Sequence, residues 1–278
     1  MEENSNKKRI VINKLNDLSG KDWIRFTKSW FILRPKRRDK KILHPASFPE
    51  ELVEDFIKFF TKKGQWILDP FLGSGSTLVA CRNTERNGIG IEISKNYATI
   101  SLERLKQQSL KETEQIVIQD DSNNIEKIWV EQNLPLMDFC ITSPPYWNQL
   151  KRNKMRQKER KINGLDTKYS ENSKDIGNIE NYKEFISAQE KIFDKVYSIM
   201  KPNSYIVVIT NNVFAEGRLY PLAFDTLNSL SKKWVPKDEK LWLQDDKPLL
   251  PLGIYSAWVG NRAHQYCLIL RKEYDKNT

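Results

Sequence analysis

The chain has 278 residues, 39% of them hydrophobic, and this composition excludes a fibrous or disordered protein. Lysine and arginine number 46 against 36 acidic residues, so the net charge of +10 favours a polyanionic partner over an acidic metabolite. No apolar run has the length of a membrane span and the first residues lack a signal peptide pattern, so we expect a cytoplasmic protein without membrane contact. Three scattered cysteines and two histidines predict reduced thiols and no metal site.

Short apolar runs alternate with helical patterns along most of the chain. The first clear helix is Pro49 to Phe60, with proline at a suitable first helical position. Further helices are predicted from Ser76 and over 95–108, 123–132, 182–200 and near 219–230. Strands are predicted over 66–69, 89–92, 116–119, 138–142, 205–210, near 239–243 and over 265–271, with a turn at 201–204. This rhythm predicts an α/β fold with a doubly wound, mainly parallel sheet.

A glycine-rich loop, DPFLGSGST, spans Asp69 to Thr77 between the first of these strands and the helix from Ser76. Doubly wound folds bind their ligands at this position. Gly73 and Gly75 permit backbone conformations closed to other residues and let a ligand approach the main chain, while Ser76 can cap the helix. The alternative is a tight turn that needs glycine only for packing. The loop lacks the lysine of a phosphate-binding P-loop, which argues against a triphosphate.

Acidic residues accompany this loop. Glu92 closes the second strand, where a carboxylate can accept hydrogen bonds from both hydroxyls of a ribose. A dinucleotide would also fit, but the glycine pattern is not GxGxxG. We expect Asp69 to turn its charge toward the ligand, which suits a cationic amino acid such as the methionine end of S-adenosylmethionine. In the segment 120–122 a carboxylate either accepts a hydrogen bond from an adenine amino group or caps a helix.

The stretch TSPPYW, residues 142–147, follows another predicted strand. The Ser143 hydroxyl and the Pro144 carbonyl are hydrogen-bond acceptors, and Pro145 restricts Pro144 to extended conformations. Rigid acceptors of this kind suit a ligand that presents hydrogen-bond donors, and Tyr146 offers an aromatic ring on which a planar ligand can stack. The alternative is an ordinary turn with its aromatic residues at the edge of the core.

Together, HPASFPEELVEDFI, DPFLGSGST, GIGIEISKNYATISLERL and TSPPYW resemble the amino-methylating DNA methyltransferases that act on cytosine N4 or adenine N6. The similarity runs from about residue 44 to residue 271. It implies a seven-stranded sheet with an antiparallel last strand, S-adenosylmethionine as cofactor and a base rotated out of its stack. Here the cofactor loop precedes the SPPY tetrapeptide, a permuted order relative to many members of that family.

The resemblance also implies roles for individual residues. The residues that match the catalytic tetrapeptide are Ser143, Pro144, Pro145 and Tyr146. The residues that match the cofactor site are His44, Ala46 and Phe48 at its methionine end, the loop residues Asp69, Pro70, Phe71, Gly73, Ser74, Gly75 and Thr77, then Glu92 and Ile93 at the ribose, and Asp121 and Ser122 near the adenine.

The domain organisation expected from these features is a basic N-terminal arm over 1–43 and a methyltransferase catalytic domain over 44–278. Within that domain, 148–181 form a basic insertion for DNA contact and recognition. The runs RPKRRDKK and KRNKMRQKERK are either solvated surface segments or phosphate contacts on double-stranded DNA. The residues expected to contact DNA are Arg37, Arg38, Lys151, Arg152, Lys154 and Arg156.

Serine in the first position of the tetrapeptide favours the N4 amine of cytosine as the target, in a restriction-modification system with a cognate restriction endonuclease as a partner. Adenine N6 methylation stays open. So do methylation of RNA or of a protein glutamine, and a non-catalytic DNA-binding partner subunit. Methylation of cytosine C5 needs a cysteine nucleophile, usually after a proline, and no cysteine of this chain follows a proline.

Overall fold

The computed structural model describes residues 13–34, 48–106, 112–147 and 175–273. In these ranges the helices are α1 (Gly20–Phe26), α2 (Glu50–Phe60), α3 (Ser76–Asn83), α4 (Lys95–Lys106), α5 (Ile125–Glu131), α6 (Tyr182–Ile199) and α7 (Leu222–Leu230). The strands are β1 (Trp30–Ile32), β2 (Trp66–Asp69), β3 (Asn87–Glu92), β4 (Gln115–Gln119), β5 (Met137–Thr142), β6 (Met200–Thr210), β7 (Val213–Ala215), β8 (Arg218–Tyr220), β9 (Val235–Leu243) and β10 (His264–Arg271). Short 3-10 turns lie at Ser122–Asn124 and Ile176–Asn178.

Eight strands form one sheet in the order β1, β9, β10, β6, β5, β2, β3, β4. β10 is antiparallel to its neighbours β6 and β9, and every other neighbouring pair in the sheet is parallel. The predicted α/β sheet with an antiparallel last strand is therefore confirmed. It has eight strands rather than seven, because β1 pairs with the outer edge of β9. The loops that follow β2, β3, β4 and β5 meet at the carboxyl edge of the sheet.

Apolar clusters cover both faces of the sheet. Helices α5, α6 and α7 pack on one face, where Phe185 and Phe193 are fully buried. Helix α2 packs on the other face, and residues of α1 and β1 pack against it. Burial of a side chain as large as Phe56 contributes about 1.5–3 kcal/mol, so these two layers hold the loops of the carboxyl edge in place. The three cysteines are buried and unpaired, as expected from the sequence.

Several predicted boundaries were wrong. Helix α2 begins at Glu50, and Pro49 is its extended N-cap residue. Gly75, and not Ser76, is the N-cap of α3, because its left-handed conformation (φ 85°) turns the chain into the helix. The Ser76 hydroxyl is buried and makes no hydrogen bond within the described residues. Leu219 belongs to the β7–β8 hairpin, so α7 starts later than predicted.

The predicted turn over 201–204 lies inside β6. The chain does bulge there, since Asn203 has a φ of 63° and the register against β5 shifts. The ladder nevertheless continues beyond β10, because the Asn203 amide donates to the Lys272 carbonyl and the Lys272 amide donates to the Ser204 carbonyl, both at 2.9 Å. Hydrogen bonds to a distant strand therefore override the local turn preference.

Elements α1 and β1 have no counterpart among the sequence predictions. No residue of α1 is fully buried, so this helix needs no apolar face that the sequence could have shown. It starts at a side-chain cap, in which Ser19 accepts a hydrogen bond from the Asp22 amide. The buried Asn16 side chain donates to the Phe59 carbonyl at 2.6 Å and fixes the approach to α1 against α2. Of the helices described, none combines the length and the apolar character needed to cross a membrane.

Candidate active site

The glycine loop, residues 69–77, turns sharply between β2 and α3. Gly73 and Gly75 have φ values of 56° and 85°, which other residues adopt only with strain. A Cβ atom at Gly75 would lie 2.9 Å from the Cβ of Ser101 on α4. The Ser101 hydroxyl also donates to the Gly73 carbonyl at 2.8 Å. The loop therefore packs tightly on α4, and both glycines are required by geometry.

Asp69 lies beneath this loop and is fully buried. Its carboxylate accepts hydrogen bonds from the Thr142 hydroxyl at 2.6 Å, the Thr77 hydroxyl at 2.5 Å and the Phe71 amide at 3.0 Å. Burial raises the pKa of Asp69 to about 6, although these three donors oppose the rise. The expected orientation of this charge toward a ligand is not observed. Instead, Asp69 ties the glycine loop to the end of β5, where the TSPPYW turn begins.

Glu92 ends β3 beside the loop and is nine-tenths buried. Its two carboxylate oxygens accept hydrogen bonds from the Gly73 amide at 2.7 Å and the Ser94 amide at 2.8 Å. Burial raises the pKa of Glu92 to about 7, and the nearby carboxylates of Asp175 and Asp69 add to the rise. The two amides orient the carboxylate, and its elevated pKa is the kind of perturbation that functional sites concentrate.

A cleft opens beside Glu92 at the carboxyl edge of the sheet. It brings together the glycine loop, the end of β3, the segment after β4 and the TSPPYW turn. The predicted site residues that line it are Pro70, Phe71, Gly73, Glu92, Ile93, Asp121, Ser122, Ser143 and Pro145. Phe48, Asp69, Ser74, Gly75, Thr77, Pro144 and Tyr146 are described but do not line it.

The segment after β4 serves two purposes. The Asp121 side chain accepts a hydrogen bond from the Asn123 amide at 2.9 Å and so caps the short 3-10 turn. It also lines the cleft, so capping does not exclude a ligand contact. The Ser122 hydroxyl donates to the Pro70 carbonyl and joins this segment to the glycine loop. Two of the cleft walls are therefore linked directly.

The TSPPYW turn carries a chain of hydrogen bonds. The Ser143 hydroxyl donates to the Tyr146 hydroxyl at 3.3 Å, which in turn donates to the Gln265 side-chain oxygen at 2.8 Å. Tyr146 is buried, with 7% of its surface exposed. The indole of Trp147 is also buried and donates to the Glu180 carbonyl at 3.0 Å. Ser143 and Pro145 face the cleft while the two aromatic residues anchor the turn.

Some predicted site residues do not join this cleft. Phe48 is buried in the apolar layer of α2. The following predicted residues lie outside the described ranges: His44, Ala46, Arg37, Arg38, Lys151, Arg152, Lys154 and Arg156. Within the described ranges, no group of three or more His, Cys, Asp or Glu side chains is arranged to hold a metal ion.

Several cleft residues were missed by the sequence reasoning. Tyr97 on α4 and Ile192 on α6 line the cleft, but each also fits the apolar pattern of its helix, so the sequence gives no separate signal. Asp175 lines it as well and caps the 3-10 turn at Ile176–Asn178 by accepting from the Gly177 amide at 2.8 Å. Its position directly before a glycine-containing turn is the signal that could have identified it.

The fold is a Rossmann-like α/β sheet with a cleft at its carboxyl edge. Among solved structures, TrmN from Thermus thermophilus has this fold, with a TM-score of 0.52 at 11% identity over 82% of this chain and 50% of that chain. The N6_N4_Mtase family model, described as DNA methylase, matches residues 2–103 and 137–278. The chain therefore belongs to this family of DNA methylases.

Curated relatives include an orphan methyltransferase and type II methyltransferases. The orphan methyltransferase M.BamHII of Bacillus amyloliquefaciens is 49% identical over 63 residues, which are 23% of this chain and 24% of the relative. The type II methyltransferase M.BglI of Bacillus subtilis is 36% identical over 124 residues, 41% of this chain and 34% of the relative. The chain thus matches about a quarter of the length of the first relative and about a third of the second.

Proposed function

We propose that this protein transfers a methyl group from S-adenosylmethionine to the exocyclic amine of a base in double-stranded DNA. The observation that carries the proposal is the cleft itself, in which Ser143 and Pro145 face Glu92 and the glycine loop. A cofactor held by the loop would therefore lie within the same cavity as the acceptors of the TSPPYW turn. Family membership supports the same reaction class.

The cleft fits the cofactor chemically. Glu92 offers carboxylate oxygens oriented by two amides, and such a carboxylate at the end of the second strand of a doubly wound sheet accepts hydrogen bonds from ribose hydroxyls. Asp121 offers an acceptor for the adenine amino group at the other wall. Bound S-adenosylmethionine supplies an electrophilic methyl group on its sulfonium. The left-handed Gly73 and Gly75 keep the loop free of side chains on the approach to the cleft.

The TSPPYW turn is proposed to hold the amine. The Ser143 hydroxyl oxygen, which lines the cleft, is proposed to accept a hydrogen bond from one N–H group of the amine, and this favours a pyramidal nitrogen whose lone pair points at the methyl group. The Pro144 carbonyl does not line the cleft in this structure and is proposed to accept from the other N–H group once the base has entered. Pro145 keeps Pro144 extended, so these acceptors need no reorganisation during the reaction. Tyr146 is proposed to stack on the extruded base. Because Tyr146 is buried in this structure, stacking requires the base to enter beside Ser143 and reach the ring.

Cytosine N4 is the proposed target, because the tetrapeptide begins with serine. The proposed setting is a restriction-modification system with a cognate endonuclease. The basic run over 151–161, which begins four residues after Trp147, is proposed to neutralise phosphates near the mouth of the cleft. The run over 34–41 is proposed to contact the same duplex, as a basic arm beside the catalytic domain, with 148–181 as the recognition segment.

The test is to incubate the purified protein with isotope-labelled S-adenosylmethionine and plasmid DNA of varied sequence. The DNA is then digested to nucleosides and analysed by mass spectrometry. We expect labelled N4-methylcytosine in the digest. Ser143→Ala should remove most of the label, because the turn then loses one of its two acceptors. Ser198→Ala is the matched control, since the Ser198 hydroxyl donates only to a carbonyl on the exposed side of α6.

Other results would change the proposal in defined ways. Labelled N6-methyladenine would keep the reaction class and reassign the base. Label in RNA or in protein, with none in DNA, would replace the substrate class. Cofactor binding without transfer to any substrate would favour a non-catalytic DNA-binding partner subunit. Failure to bind the cofactor would reject the proposal altogether.

A further inference from the structure

The hydrogen-bond chain from Ser143 to Gln265 has a fixed direction. A carboxamide oxygen only accepts hydrogen bonds, so the Tyr146 hydroxyl is the donor to Gln265 Oε1 at 2.8 Å. The Tyr146 oxygen then acts as an acceptor toward Ser143, and it accepts a hydrogen bond from the Ser143 hydroxyl, with 3.3 Å between the two oxygens. Gln265 thus orients the hydroxyl proton of Tyr146 and, through Tyr146, that of Ser143.

This direction matters for Ser143. A hydroxyl has one proton and two acceptor lone pairs. When the proton is used toward Tyr146, both lone pairs of Ser143 Oγ are left as acceptors, and Ser143 lines the cleft. If the proton pointed into the cleft instead, Ser143 would present a donor to an amine that needs acceptors. The direction of the chain therefore decides whether this serine can serve amine methylation.

We propose that Gln265 is a positioning residue, which acts through Tyr146 to keep Ser143 Oγ an acceptor for the amine of the target base. This inference rests on the proposed function and adds a residue to its machinery. Gln265 does not line the cleft and touches no substrate in this role.

The position of Gln265 in the sheet suits this role. It is the second residue of β10, which is hydrogen bonded on both sides, to β6 and to β9. The next residue, Tyr266, is in register with Thr210 at the end of β6, and Gln265 itself is in register with Trp242 of β9. A backbone paired with β9, one residue before the pairing with β6 begins, gives the Gln265 side chain a more defined direction than a loop would.

The test compares two substitutions at Gln265. Gln265→Met removes the acceptor with little change of volume, and we expect kcat for methyl transfer to fall about 10- to 100-fold with the KM for the cofactor unchanged. Gln265→Glu keeps an acceptor, so kcat should return to within about threefold of the wild type. In a Tyr146→Phe background the chain is already broken, and Gln265→Met should then cause no additional loss.

Gln189→Met is the matched control. Gln189 is a fully buried glutamine whose oxygen also accepts a hydroxyl, that of Thr226 at 2.9 Å, but it lies between α6 and α7. The kcat of the Gln189→Met variant should match that of the wild type. Thermal unfolding of each variant checks the fold, and if Gln265→Met does not fold, the single variant Tyr146→Phe replaces it with the same expected loss of kcat, because it also breaks the chain.

The inference is overturned if Gln265→Met transfers methyl groups at the wild-type rate. It is also overturned if Gln265→Glu is as inactive as Gln265→Met, or if the effects of Gln265→Met and Tyr146→Phe simply multiply. A wild-type protein that methylates no DNA would instead refute the proposed function. The two failures are therefore distinguishable in one set of assays.

Discussion

Cofactor binding should strengthen about tenfold between pH 6 and pH 8, because Glu92 must be ionised to accept hydrogen bonds from ribose hydroxyls. The pKa of Glu92 is raised to about 7 by burial. With this value the ionised fraction of the carboxyl is roughly 0.1 at pH 6 and 0.9 at pH 8. The apparent affinity follows this fraction, since only the ionised form binds well.

The raised pKa of Glu92 also makes the free energy of unfolding of the cofactor-free protein depend on pH. A raised carboxyl pKa means that the folded state holds its proton more tightly than the unfolded state, so the resulting stability is present at low pH and is lost as the pH rises through about 7. The rise of the Glu92 pKa from 4.5 to about 7 corresponds to a loss of roughly 3 kcal/mol in the free energy of unfolding. The apoprotein should therefore unfold at lower urea concentration at pH 8 than at pH 5, while cofactor affinity changes in the opposite direction.

Isothermal titration calorimetry at pH 6, 7 and 8 measures this linkage directly. Each titration is run in two buffers with different ionisation enthalpies, which gives the number of protons released on binding. We expect release of about 0.9 proton at pH 6 and about 0.1 at pH 8. Glu92→Gln should bind more weakly and release almost none, apart from a contribution of Asp69, whose pKa is about 6. A flat pH profile in the wild type, or an unchanged profile in Glu92→Gln, would refute the reasoning.

Three further predictions test other parts of the site. Gly75→Ala should destabilise the protein by about 1–3 kcal/mol in urea denaturation, because of its φ of 85° and the close approach of Ser101, and unchanged stability would contradict the geometry of the loop. Tyr146→Ala should lower turnover by orders of magnitude in the methyl-transfer assay with cofactor affinity little changed, and near wild-type turnover would argue against stacking. Alanine replacement of four basic residues should weaken DNA binding and flatten its salt dependence without affecting cofactor binding, and unchanged DNA affinity would exclude a phosphate contact there. These four residues are Lys151, Arg152, Lys154 and Arg156.

The sheet was predictable because its central strands are short apolar runs separated by helical patterns, and right-handed crossovers leave few arrangements for them. Strand β1 was not predictable. It has three residues, and its burial pattern is mostly exposed, so only pairing with β9 makes it a strand. The continuation of β6 through Asn203 was not predicted for a related reason, because the backbone partner of Asn203 is Lys272, 69 residues away in the sequence.

In the site, the sequence predicted which segments meet but not which way every side chain points. Glu92, Gly73 and Ser143 reach the cleft as expected, because they end strands or begin loops at one edge of the sheet. The carboxylate of Asp69 turns inward because two threonines and an amide satisfy it beneath the loop. Gln265 was missed because its strand lies 119 residues after Tyr146, and a lone glutamine in an apolar strand carries no motif.

The additional edge strand β1 widens the sheet. β1 is parallel to β9 and therefore ends at the same edge as β5, four strand spacings away, or about 19 Å. Arg34, just beyond β1, forms an ion pair with Asp245 at 2.8 Å. The chain therefore leaves the sheet after β1 and after β5 at two points of the same edge, separated by about 19 Å. The breadth of the sheet thus sets how far apart the segments that lead to the two basic runs leave the fold.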